Sequence, residues 1–181
     1  MKILLDTCVL YPTVMREVLL GAAAAGLYTP LWSARILEEW ARAAEKLGRE
    51  GSAQARAEIA LLRAAWPNAE VPVAAGVEAR LWLPDPADVH VLASAITGSA
   101  EAIVTMNAKD FPRHTLAEEG VRRIDPDAFL HGLWQESPRS IETAAKKVLT
   151  EANRLSGSVW EMRPLLKKAR LPRLAKVLAE L

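Results

Sequence analysis

The apolar run Ile3-Leu4-Leu5 ends on a carboxylate, Asp6, and this junction constrains the fold more than any other stretch of the chain. A continuous Ile/Leu run suits a strand buried on both faces, the kind found in parallel sheets covered by helices. An ionised carboxylate left alone where such a strand gives out is costly. Asp6 must therefore find hydrogen-bond donors nearby or face positive charge.

The rest of the chain alternates strand and helix signals. Tyr11-Pro12 opens a helix, with Pro at its first position and Val14, Val18, Leu19 and Ala22 on its apolar face, and Gly26 caps it. Residues 27–32 read as a second strand broken by Pro30, and Ser33 is placed to N-cap a helix carrying Ile36, Leu37, Trp40 and Leu47. A turn over 48–52 precedes a helix over 52–65, and residues 71–83 suit a short strand and a short helix. Asp85-Pro86-Ala87-Asp88 is a helix start, with Asp85 as N-cap and Val91, Leu92, Ala95 and Ile96 as the buried stripe as far as Gly98. Residues 102–106 form a compact apolar strand, 107–112 a loop, and 121–124 a last strand before a helix start at Asp125-Pro126. From Ser137 only helical spacing is found: Ile141, Ala144, Ala145, Val148, Leu149, Ala152 and Leu155, then Leu165, Leu166, Leu174, Leu178 and Leu181 in short helices broken by Pro164 and Pro172. The expected class is α/β, a central parallel sheet flanked by helices, followed by an all-helical extension.

The net charge of +1 hides a segregation: residues 1–138 hold 13 basic and 18 acidic side chains, and residues 139–181 hold 10 and 4. No apolar run approaches the ~18 residues of a membrane span, and the N-terminus enters a strand without the basic and apolar regions of a signal peptide. The one cysteine, Cys8, cannot form an internal disulfide and reads as a small hydrophobe packed under the strand end. A cytoplasmic protein is expected. Of the six tryptophans most are core candidates, with Trp134 and Trp160 the better candidates for stacking.

Four acids share a topological position. Asp6 follows the first strand, Glu39 lies in the helix after the second, Asp88 starts the helix before the third, and Asp110 is in the loop after it. Loops at the carboxyl ends of parallel strands share one edge of the sheet, where such folds bind ligands. Two unit charges ~4 Å apart repel by about 1 kcal/mol in water and about 4 kcal/mol at an effective dielectric of 20. Converging carboxylates therefore protonate or take up a cation. Oxygen donors favour Mg²⁺ or Mn²⁺ over zinc, and His90, His114 and His131 have no ligand spacing. A divalent ion there polarises a phosphate and activates water for in-line displacement. Neither a Gly-rich phosphate loop nor a Gly-x-Ser-x-Gly elbow occurs. Taken singly, each acid also has a plain reading: Asp85 a cap, Asp88 a partner of the helix dipole, Glu38 and Glu39 a solvated helix face, Asp110 a loop residue.

Leu5-Asp6-Thr7, Ser33-x-x-Ile36-Leu37-x-Glu39, Asp85-Pro86-x-Asp88-x-His90-Val91-Leu92-Ala93-x-Ala95 and Val104-Thr105-x-Asn107-x-x-Asp110-Phe111-Pro112, in that order, resemble the PIN-domain ribonucleases, most closely the VapC-type toxins of bacterial toxin–antitoxin pairs. The resemblance implies a PIN-like three-layer fold over residues 1–130, with residues 131–181 as a basic helical extension. It implies Asp6, Glu39, Asp88 and Asp110 as catalytic metal ligands for Mg²⁺ or Mn²⁺, and hydrolysis of RNA by water without a covalent intermediate. Thr7, Thr105 and Asn107 then orient ligands or phosphate, although strand-end hydrogen bonding explains them equally. Lys146, Lys147, Lys167, Lys168, Arg170 and Arg173, with Arg163 and Lys176, suit RNA phosphates, an acidic antitoxin or plain solvation. A homodimer, a cognate antitoxin and an RNA substrate are the implied partners, with no membrane. A housekeeping PIN nuclease and a non-catalytic RNA- or protein-binding module are the competing readings.

Overall fold

Ile3, Leu4 and Leu5 are fully buried in β1 (Lys2–Leu5), as their unbroken apolar run requires. The computed structural model, which describes residues 1–72 and 75–179, places β1 at the centre of a five-stranded parallel sheet flanked by helices. With β2 (Thr29–Ser33), β3 (Glu70–Val71), β4 (Ala102–Val104) and β5 (Arg122–Ile124) the order is β3-β2-β1-β4-β5. Ile3 stands opposite Pro30 on one side and Ala102 on the other. The residues after β1, β2 and β4 therefore open onto one edge, as a parallel sheet demands.

The chain forms two compact units, Met1–Tyr11 with Thr29–Arg123, and Pro12–Tyr28 with Ile124–Leu181. The first unit holds the sheet with α1 (Thr7–Leu10), α3 (Ala34–Glu45), α4 (Gly48–Ala65), α5 (Ala75–Glu78), α6 (Val89–Thr97) and α7 (Arg113–Glu118). The second is helical: α2 (Thr13–Ala24), α8 (Pro126–Glu136), α9 (Pro138–Ser156), α10 (Met162–Lys168) and α11 (Pro172–Val177). Within it α2 and α9 cross closely, since a Cβ built on Gly21 would stand 2.7 Å from that of Ala144. Asp125 caps α8 by accepting the Asp127 and Ala128 N–H groups. The buried Asp127 carboxylate in turn accepts the Arg173 and Leu174 N–H groups at 2.8 and 3.0 Å, capping α11 from another helix.

Several boundaries differ from the sequence reading, each for a physical reason. Pro30 lies inside β2 and does not break it. Thr29 N–H points to β1 and Trp32 N–H to Ala69, so the proline's missing donor faces the β3 side before β3 begins. Pro12 is the N-cap of α2 rather than its first residue, because one helical turn, α1, already follows Asp6. Leu47 is 68% exposed because α3 ends at Glu45; the turn is Lys46 and Leu47, and α4 starts at Gly48, whose φ is +85°. Pro164 does not break α10; it sits in the first turn, where its missing N–H costs nothing. The α6 stripe is wider than expected, buried from Val89 to Ala95 while Ile96 is only half-buried, because the helix packs on β1, β2 and β4 and also on α5. At the end of α9 Leu155 is 66% exposed, so the apolar stripe stops short of it. Trp82 is likewise exposed and not part of the core. The short strand and helix expected over 71–83 are β3 and α5, with Val73 and Ala74 outside the described residues, as is Leu181. No helix among the described residues is long and apolar enough to cross a membrane.

Candidate metal centre

Asp6 is the N-cap of α1 and only 6% exposed. Thr105, at the end of β4, donates its hydroxyl to Asp6 Oδ2 at 2.6 Å, and the Cys8 thiol donates to the same oxygen at 3.1 Å. Cys8 Sγ also accepts the Met106 N–H, so the thiol links β1 to the β4 end. Burial pushes the Asp6 carboxyl up, opposed by Thr105, Cys8 and the Thr7 N–H and reinforced by the charge of Glu39. The same burial, with Asp6 beside it, raises the Cys8 thiol to about 12, so it stays protonated.

Glu39 arrives from α3, whose start is fixed by Ser33 accepting the Ile36 N–H. Thr7 Oγ1 donates to Glu39 Oε2 at 2.8 Å. The other oxygen, Oε1, lies 2.7 Å from His90 Nε2 and 3.8 Å from Arg35 Nε. His90 is 4% exposed; the Nε2 approach is a close contact rather than an aligned hydrogen bond, and Nδ1 has no hydrogen-bond partner. Burial raises the Glu39 carboxyl, but His90, Thr7 and Arg35 together leave it below the ordinary value.

Asp88 ends a 3₁₀ turn (Pro86–Asp88) capped by Asp85, which accepts the Ala87 N–H. Asn107, in the loop after β4, donates Nδ2 to Asp88 Oδ2 at 3.0 Å and accepts the Asp110 N–H at 3.4 Å. Carboxylate oxygens of Asp85, Asp88 and Asp110 all lie within 4.8 Å of one another. Burial, then the charges of Asp6, Asp85, Asp110 and Glu39, push Asp88 up to about 6. One carboxyl thus responds to all the other acids of this edge. Arg35, the cation beside Glu39, pairs also with Glu78 at 3.1 Å.

The family model of the PIN domain matches residues 2–109. The chain belongs to the PIN domain family. No curated protein and no solved structure compared with the chain matches it. PIN domains are generally divalent-metal-dependent nucleases that act on RNA. This PIN domain offers a donor set of oxygens, one of whose acids is raised to about 6 by burial and by its acidic neighbours, and such a set fits a hard divalent ion.

Asp6, Glu39, Asp88 and Asp110 lie on the expected edge of the PIN domain, but they are not equally close. Asp85, read from the sequence as a cap, is both a cap and a member of the tightest group, while Asp6 and Glu39 stand outside that group, each held by protein donors. The Asp-Pro-x-Asp spacing was the available signal, since residues three apart in a helical turn share a face. Thr7, Thr105 and Asn107 each bond one of the acids. In the helical unit Lys146 and Lys147 are exposed on α9, Lys167 and Lys168 on α10, Arg170 after it and Arg173 on α11. Lys168 Nζ stands over the half-buried Trp160 ring at 4.7 Å, and Trp134 lies tilted on His131.

Proposed function

We propose that this PIN domain is a metal-dependent endoribonuclease, the VapC-like toxin of a toxin–antitoxin pair. The observation that carries the reading is Asp88: its carboxyl stands within 4.8 Å of those of Asp85 and Asp110 and is pushed up to about 6, first by burial and then by the charges of Asp6, Asp85, Asp110 and Glu39. Carboxylates this close and part-buried are relieved by a cation.

Asp88 and Asp110, with Asp85, Asp6 and Glu39 around them, would hold Mg²⁺ or Mn²⁺. The ion would supply charge for the scissile phosphate and acidify water for in-line attack. The chain itself orients these acids: Thr105 and the Cys8 thiol fix Asp6, Thr7 fixes Glu39, and Asn107 fixes Asp88 against the Asp110 backbone. Residues 1–130 would carry this chemistry. The exposed Lys146, Lys147, Lys167, Lys168, Arg170 and Arg173 of the extension would meet RNA phosphates or an acidic antitoxin, and the active form would be a homodimer in the cytoplasm.

The purified protein, freed of any partner, should cleave structured RNA with Mg²⁺ or Mn²⁺ and stop in EDTA, and Asp6→Asn and Asp88→Asn should abolish cleavage. Activity unchanged in those variants would overturn the site. Expression that arrests growth, relieved by the adjacent reading frame, separates the toxin from a housekeeping nuclease.

A further inference from the structure

His90 has no role in the chemistry above, yet it is one of the few buried polar side chains near the acids. It follows Asp88 by two residues on α6, 4% exposed, with Val91, Leu92 and Ala93 buried beside it. A buried polar ring is costly unless bonded, and an aliphatic side chain would fill the same space without that cost. Nδ1 has no partner, so the ring is not held from its far side. Its one polar neighbour among the described residues is Glu39, with Nε2 2.7 Å from Oε1. At that distance a proton on Nε2 would face the carboxylate, and no other group need stand between them.

Thr7 holds the opposite oxygen, Oε2, at 2.8 Å. Arg35 stands farther off, 3.8 Å from Oε1 on the same helix as Glu39, so the two nearest residues come from the turns that deliver Asp6 and Asp88. Asp6 precedes Thr7 directly, and Asp88 shares its helix start with His90. A carboxylate on α3 is thereby tied to α1 and α6 at once.

We propose that His90 is a positioning residue: with Thr7 it clamps the Glu39 carboxylate by both oxygens, fixing the orientation in which this acid meets a divalent cation. The proposal rests on the metal-dependent reading above, and the test separates their failures. Mn²⁺ binding to the full chain is measured by calorimetry for the wild type, His90→Leu, His90→Gln and Thr7→Val, alongside the melting temperature in EDTA and kcat and KM on RNA.

The wild type should bind Mn²⁺. His90→Leu should keep its metal-free fold but bind Mn²⁺ about tenfold more weakly, in the range typical of residues that orient metal ligands. Its kcat should fall while KM for RNA holds. His90→Gln, which can return an N–H to Oε1, should recover most of the affinity, and Thr7→Val should weaken binding as His90→Leu does. Wild-type affinity in a folded His90→Leu, or a loss in His90→Gln equal to that in His90→Leu, overturns the clamp. If His90→Leu does not fold, unchanged Mn²⁺ affinity in Thr7→Val overturns it instead. A wild type that takes up no Mn²⁺ overturns the metal-dependent reading itself and the clamp with it.

Discussion

Asn107 Nδ2 donates to Asp88 Oδ2 across 3.0 Å, tying the loop after β4 to the start of α6. Because Asn107 also accepts the Asp110 N–H, one side chain sets the spacing of two acids that repel each other. Asn107→Ala should lower kcat about 10- to 100-fold and weaken Mn²⁺ binding in parallel, while the melting temperature in EDTA changes little. Asn107→Asp should be worse than Ala for metal-free stability, since it adds a charge beside Asp88 and removes the donor; a urea melt of both variants checks the order.

The metal-free protein should gain stability on mild acidification. The Asp6 and Asp88 carboxyls are raised, Asp88 to about 6 from an ordinary 3.8, so the folded state binds their protons at a pH where the unfolded chain does not. That contribution is complete below the unfolded value and is lost as pH rises through about 6. Glu39 runs the other way, but its depressed value places its effect below pH 4.5. Between pH 7.5 and 5.5, Asp88 contributes roughly 0.5 kcal/mol after solvent screening, or about 1–2 °C in melting temperature. Millimolar Mg²⁺ should raise the melting temperature and flatten this slope, because the cation binds only the charged, folded form. Differential scanning calorimetry at the two pH values, with EDTA or with Mg²⁺, reads both effects.

Asp127 should matter for stability and not for chemistry. Its buried carboxylate accepts two N–H groups at the start of α11, and removal leaves both donors unpaired. Asp127→Ala should cost about 1–3 kcal/mol in a urea titration, and Asp127→Asn, which keeps an acceptor, should cost less.

The crossing of α2 and α9 gives a paired test. An added methyl normally favours a helix over glycine by about 1 kcal/mol, but at Gly21 it meets the Ala144 methyl at 2.7 Å, inside any real contact. Gly21→Ala should therefore be destabilising by about 1–3 kcal/mol. Adding Ala144→Gly moves the space from one helix to the other, so the double variant should lose less than the sum of the two single losses in the same equilibrium melts.

What could be read from the chain was the chemistry of neighbours in sequence. Ser33, Asp85 and Asp125 are caps because a short polar side chain next to a helix start has an N–H within reach. The β1 strand is legible because three fully buried aliphatics admit little else. Pro30 misled because whether a proline breaks a strand depends on which neighbour its missing donor faces, and that neighbour, β3, is far along the chain. Leu47 misled because α3 ends two residues before it, in a turn that leads to the positive-φ Gly48. His90 carried no ligand spacing because its partner is on α3, so the Glu39 contact exists only once α3 and α6 stand together. The acids were legible as a set by topology, but the closeness of Asp85 depends on the loop after β4 bringing Asp110 beside the Asp85–Asp88 turn.

Thr105 and Asp6 are bonded across 99 residues of sequence, and β1 needs both β2 and β4 as neighbours. The central strand therefore cannot be sheltered by anything local, and ring closure over most of this unit must precede its burial. Folding should be slow for the chain's size, with Ile3, Leu4 and Leu5 open to association until β4 docks. The same delay postpones assembly of the acidic edge, so an incompletely folded chain would be inert as a nuclease and prone to aggregate.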